Sequence, residues 1–247
     1  MPLYILQSFL FFHFIAQMYY QLYDLPHTHF AINAICFSQD CRLLASGDDD
    51  GYIRLLDIRL GKESRRLRVA NAVTSLLWHP NNHNIIFIGG ARGNVTVMNL
   101  QSEVGARRMS LCSFDVCDKR PEGFSLRTGV DAPVESLAYD ACNGHLAVGV
   151  GTDIILFNHP EGESSCGKVT TRQAEFLADP WTFGINIPPP PSTAGGDDTK
   201  HLLPLPRVLK FSDDGHSLIA VYFQHGIVWA IHHFIEEVQL IIMQDPG

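Results

Sequence analysis

Residues 32–57 read INAICFSQDCRLLASGDDDGYIRLLD, and this stretch decides the fold. Ile32–Phe37 alternates and ends on an aromatic, and a polar turn follows. Leu43–Gly47 is an apolar run ending in small residues, Asp50-Gly51 closes a tight turn, and Tyr52–Leu56 alternates again. Runs this short, separated by glycine-bearing turns, form a β-meander. Residues 73–99, VTSLLWHPNNHNIIFIGGARGNVTVMN, repeat the order with Val73–Trp78, Ile85–Gly90, an Arg92-Gly93 turn and Asn94–Met98. Phe37 to Trp78 is 41 residues and Gly51 to Gly93 is 42, so the period is 41–42.

The pattern recurs twice with less fidelity. Residues 134–158 match with Tyr139 as the aromatic, and residues 207–232 match with Phe211 and Gly226. A fourth run is expected after each unit, at Arg65–Val69, Arg108–Phe114, Gly167–Thr171 and Val238–Met243. Four strands per unit at a period near 40 predict an all-β chain of propeller blades. The expected domains are an apolar segment at 1–24 and a propeller at 25–243. Its blades fall at about 32–70, 73–115, 134–172 and 207–243, with insertions at 112–132 and 176–206.

Ala31–Asp57, with FSQD and LLASGDDDGYIRLLD, resembles the WD-repeat family of β-propellers, and the likeness extends over residues 31–243. The resemblance implies a non-catalytic platform that holds other proteins. The family's name-giving Trp-Asp is replaced by Leu56-Asp57, Met98-Asn99, Phe157-Asn158 and Ile231-His232. In the family that Trp joins a buried hydrogen-bond network with a turn Asp, and the turn position here holds Asp50, Arg92, Gly151 and His225. Without the Trp donors each blade must rest on apolar packing against its neighbours, which predicts a less rigid propeller. Family members close with about seven blades and four are found, leaving three readings: a compact ring, closure by self-association, or an incomplete gene product.

The second insertion contains PPPPSTAGGDDTK at 188–200, a stiff polyproline turn followed by a flexible tail. It reads either as a solvated linker or as a partner-contact loop. By the family's geometry both insertions emerge on the face that carries the turns at Asp48–Gly51, Ala91–Gly93 and Gln224–Gly226. The candidate partner face is therefore Asp48, Asp49, Arg92, Gln224 and His225, with Pro189 and Pro190.

Residues 1–23, MPLYILQSFLFFHFIAQMYYQLY, differ from the rest. Phe9, Leu10, Phe11, Phe12, Phe14 and Ile15 form a dense apolar block. No Lys or Arg precedes it and no small-residue cleavage site follows, so it is a poor secretory signal. Gln7, Ser8, His13 and Gln17 interrupt it, unlike a spanning helix. It reads as a packed element, an anchor or a mis-assigned start.

The 247 residues suffice for a self-supporting core, and the net charge of −8 gives no general attraction to nucleic acid or anionic membrane. Six cysteines are too sparse for a disulfide scaffold and fit a reducing compartment. Cys36/Cys41 and Cys112/Cys117 are spaced five apart, wider than zinc pairs, and read as structural thiols. His27/His29 and His232/His233/Glu236 lack an evident further ligand, so no metal or cofactor is expected. No nucleophile elbow, phosphate loop or H-E-x-x-H appears. Gly89–Gly93 lacks the Lys-Ser/Thr of a phosphate cradle. Arg65-Arg66-Leu67-Arg68 and Arg107-Arg108 are expected on outer strands, where charge discourages edge pairing.

These observations predict a cytoplasmic, non-catalytic interaction scaffold of WD-repeat type that binds proteins and not nucleic acid, with self-association as a further option. A membrane-tethered propeller and a truncated fragment without independent function are the alternatives.

Overall fold

The strands form where alternation allows one face to be buried, and the turns form where Asp and Gly relieve the backbone. Gly51 and Gly93 take positive φ of 80° and 70°, a conformation that costs a side-chain-bearing residue more than glycine. The structure, a computed structural model, describes residues 29–100, 123–158, 181–187, 205–222, 226–230 and 239–242. Among the described residues there is no helix.

The first sheet is β1 (Ile32–Phe37), β2 (Leu43–Asp48), β3 (Tyr52–Asp57) and β4 (Lys62–Arg68). The second is β5 (Val73–Trp78), β6 (Ile85–Gly90), β7 (Asn94–Asn99) and β8 (Gly123–Arg127). The third is β9 (Val134–Asp140), β10 (His145–Val150), β11 (Asp153–Asn158) and β12 (Thr182–Ile187). The fourth is β13 (Pro206–Phe211), β14 (Ser217–Tyr222), β15 (Gly226–Ala230) and β16 (Gln239–Ile242). Each is a four-stranded antiparallel meander whose spatial order follows the chain.

Two expected fourth strands lie elsewhere. In the second unit the fourth strand is Gly123–Arg127, not Arg108–Phe114, and in the third it is Thr182–Ile187, not Gly167–Thr171. Both strands fall inside stretches expected to be insertions. The blades therefore extend to Arg127 and Ile187, past the expected ends at 115 and 172. β8 is held in place by pairing with β7 and by burial of Leu126 against the neighbouring sheet. Residues 101–122 and 159–181 thus join third strands to fourth strands. In an antiparallel meander that connection lies at the sheet end opposite the second-to-third turn. The expectation that both insertions share the turn face is corrected for these two stretches.

The sheets stack in sequence, with packing between the first and second, second and third, and third and fourth. Each interface is an apolar cluster. Ala45, Ile53, Leu55 and Leu67 of the first sheet meet Trp78, Ile86, Ile88 and Met98 of the second. Phe87, Val95 and Val97 meet Leu137, Leu146, Val148 and Phe157. Ala138, Ala147, Ile154 and Leu156 meet Leu209, Phe211, Leu218 and Tyr222. The unit aromatics Trp78, Tyr139 and Phe211 therefore all point back at the preceding sheet.

Candidate interaction face

The face is built by the turns between second and third strands. Asp48 Oδ1 accepts the backbone N–H groups of Asp50 (3.1 Å) and Tyr52 (2.9 Å), and the Gly51 N–H reaches the Asp48 carbonyl at 3.2 Å. Satisfying these donors locally fixes the turn. Each described turn is then tied to the residue leading into its first strand. Asp49 N–H donates to Ala31 O (3.1 Å), Ala91 N–H to Ala72 O (3.0 Å) and Gly151 N–H to Pro133 O (3.4 Å).

A second set of contacts joins one sheet to the next at the same end. The register of every first strand slips by one residue near its start, between Ile32 and Ala34, Val73 and Ser75, Val134 and Ser136, and Pro206 and Val208. Such a bulge re-aims a side chain out of the pleat. Asn33 Nδ2 donates to Val73 O at 3.0 Å and to Asp49 Oδ1 at 2.6 Å. Thr74 Oγ1 donates to Val134 O at 2.8 Å, and Arg207 pairs with Glu135 at 2.6 Å. Ser136 Oγ beside the bulge donates to Pro206 O at 2.6 Å. Periodicity could not find these residues, because the bulge breaks the alternation that periodicity reads.

The predicted partner residues divide. Asp49 and Arg92 are exposed at adjacent turn tips. Asp48 is only 2% exposed and its carboxylate is committed to the turn, so it builds the face and does not present itself there. Gln224 and His225 lie outside the described residues, as do Pro189 and Pro190. The connection that carries the two prolines leaves from Ile187, opposite Ile154, and returns at Pro206, opposite Tyr222. Both points are at the turn end of their sheets. Around the tips the charges are mixed: Arg68 pairs with Asp50 at 3.2 Å and lies 4.9 Å over the Tyr52 ring, and Arg127 and Asp131 are exposed.

The basic run on β4 is engaged within the chain. Arg65 donates to the Leu100 carbonyl, and Arg66 grips Glu63 through two bonds of 2.8 and 3.1 Å. At the opposite sheet ends, Ser38 and Asp40 form a turn that Ser212 and Asp214 repeat. The serine hydroxyl donates to the aspartate at 2.7 and 2.5 Å, and these bonds hold both carboxyls below the usual carboxylate range. His79, Phe87, Tyr139 and Trp181 make an aromatic cluster between the second and third sheets, with centroids 4.7 to 6.2 Å apart, filled by its own rings.

Among the described residues no three or more His, Cys, Asp or Glu side chains gather as a metal site, and no helix is long and apolar enough to cross a membrane. Cys36 and Cys41 are free thiols, and Cys142 is exposed. The pairs Cys112/Cys117 and Arg107/Arg108, His27, His232, His233 and Glu236 lie outside the described residues.

Four stacked four-stranded meanders joined in series define a protein of the β-propeller class. Residues 20–57 match the family model described as WD domain, G-beta repeat. The fold is similar to the crystal structure of RRP9 WD40 repeats (TM-score 0.57, 10% identity), covering 88% of this chain and 53% of that one. It is similar to the structure of U3-55K (TM-score 0.57, 10% identity), covering 88% and 54%. It also resembles the computationally designed Ika4 protein (TM-score 0.52, 19% identity), covering 87% of this chain and all of that one, at 100%. The chain spans about half the length of the two WD40 structures. No curated protein matches its sequence. One WD repeat is thus matched at residues 20–57, within a fold shared with WD40-repeat structures.

Proposed function

We propose that the chain is a non-catalytic interaction module that binds another protein through the turn end of its sheets. The observation that carries this reading is the pair of exposed turn tips, Asp49 and Arg92, on adjacent sheets tied together by Asn33, with Thr74 tying the second sheet to the third. A rigid rim of opposite charges suits a polar protein surface and gives orientation and association rate more than raw affinity. The net charge of −8 supports a protein partner over nucleic acid. Free Cys36 and Cys41 support the cytoplasm as its compartment.

Proteins that co-purify with the full chain are compared with those held by Asp49→Lys/Arg92→Glu, whose thermal unfolding is measured alongside to show that loss of the Asn33–Asp49 bond leaves the variant folded. At least one specific partner should fall about tenfold in occupancy, roughly 1.4 kcal/mol. An identical set of partners at identical occupancy sinks the assignment of this face.

A further inference from the structure

Among the described residues, the exposed large apolar side chains other than Leu60 gather at the two ends of the stack of sheets. At one end, Ile35 and Phe37 on the outer face of the first sheet are 66% and 57% exposed, with Ile32 and Phe30 beside them. Their register equivalents Leu76 and Trp78, Leu137 and Tyr139, and Leu209 and Phe211 all pack against a preceding sheet. At the other end, Val208 and Ile219 on the outer face of the fourth sheet are 53% and 37% exposed, and Val221 is exposed beside them. Ile219 holds the register position at which Ala45, Phe87 and Ala147 are wholly buried against a following sheet. One end therefore lacks a preceding sheet and the other lacks a following one. Apolar patches left open in this way mark interaction surfaces.

We propose that a second copy of this chain covers both ends, the first sheet of each copy packing on the fourth sheet of the other in a two-fold pair. Three observations select that occupant. Packing runs from the first sheet to the fourth without comparable packing between the fourth and the first, so the chain does not close on itself. Each internal joint sets the first and second strands of one sheet against the first strand of the next: β1 and β2 on β5, β5 and β6 on β9, β9 and β10 on β13. The exposed apolar residues fall on those same strands, Val208, Ile219 and Val221 on β13 and β14, and Ile32, Ile35 and Phe37 on β1. A fourth sheet and a first sheet are thus the two halves of a joint that the chain already makes three times. One two-fold operation makes that joint twice and leaves no open end, at eight sheets, a number that a propeller can hold. The joint is looser than the internal ones, because Val221 stands where Gly47, Gly89 and Gly149 admit the next sheet, and exposed Lys210 lies on the same face. The pair is therefore held by mass action and separates in the dilute solution of an unfolding measurement.

The inference is independent of the partner reading above, which concerns the ends of the strands and not the faces of the terminal sheets. Its test is sedimentation of the full chain between about 1 and 100 µM. The mass should rise from one chain to two and stop there, and Phe37→Glu or Ile219→Glu should each weaken association at least about tenfold. Mixing the two variants, each shown to be folded by thermal unfolding, should restore association, because each keeps the face that the other has lost. With a benzoylphenylalanine photo-crosslinker in place of Phe37, links should run to residues 206–222 of a second, isotope-labelled copy. A single chain at every concentration, growth beyond two copies, or folded variants that fail to associate on mixing would each overturn the proposal. So would label recovered unlinked, and links to residues 1–23 or to the first sheet of the other copy.

Discussion

Gly47 lies so close to Val73 that any β-carbon on it would overlap the valine branch, and this contact sets the distance between the first and second sheets. Gly89 against Val134 and Gly149 against Pro206 repeat it. Because Val73 is itself wholly buried, the neighbour cannot swing aside. Gly47→Val should therefore cost about 1–3 kcal/mol or more by forcing the sheets apart. Val221→Ala, at the same register position on an exposed face, should stay within about 0.5 kcal/mol. Urea unfolding of the two variants beside the parent decides it, and equal costs would refute the close-approach role.

Asp48 separates the making of the face from its use. Its Oδ1 takes two backbone donors, which Asp48→Asn can still satisfy and Asp48→Ala cannot. The alanine variant should lose about 1–2 kcal/mol, with the asparagine variant recovering most of it. Neither result depends on a partner. If Asp48→Asn binds a co-purifying partner normally while Asp49→Lys does not, the contact belongs to the exposed residue alone.

Much of this was legible in the residues. The first three strands of every unit could be placed because alternation, an aromatic end and a glycine turn coincide within about 26 residues, as in 32–57. The fourth strands of the second and third units could not. Gly123–Arg127 and Thr182–Ile187 follow long connections, and pairing with β7 and β11 selects them over the nearer β-prone runs. The turn tips could be named from the repeat, yet Asp48 and Asp49 look alike in sequence. Only the backbone direction makes one a buried acceptor and the other an exposed charge. The glycine at positions 47, 89 and 149 was visible in register, but its reason lies in the next sheet, which no local pattern reports.

Tyr222 offers a titration read from burial. Its hydroxyl is buried with no hydrogen-bond partner, and desolvation, helped by the Asp153 charge, pushes its pKa up to about 12. The unfolded chain would ionise this group near its ordinary value of about 10. The folded state thus holds the proton longer, and its contribution is complete below about pH 10 and lost between about pH 10 and 12. The loss is on the order of 2 kcal/mol. Tyr222→Phe should flatten that part of the stability-against-pH curve, and at neutral pH it should be neutral or slightly stabilising because it removes an unsatisfied hydroxyl. A phenylalanine variant with the same alkaline drop would assign it to another group.

The thiols report on the first interface without any substitution. Cys36 packs against the cluster between the first and second sheets, and burial pushes its thiol up, partly offset by a backbone hydrogen bond from Trp78. Cys41 and Cys142 are exposed. Because the thiolate is the reacting species, a maleimide at pH 7.5 should modify Cys41 and Cys142 first and Cys36 at least about tenfold more slowly. The Trp78 indole N–H donates to the Cys36 carbonyl at 3.1 Å, so the cysteine's shelter depends on that ring staying in place. Trp78→Phe removes the donor and some volume, and should speed Cys36 labelling while leaving Cys41 unchanged. Peptide mapping over a labelling time course measures all three rates at once. Equal rates for Cys36 and Cys41 in the parent chain would mean that the first sheet does not rest on the second in solution.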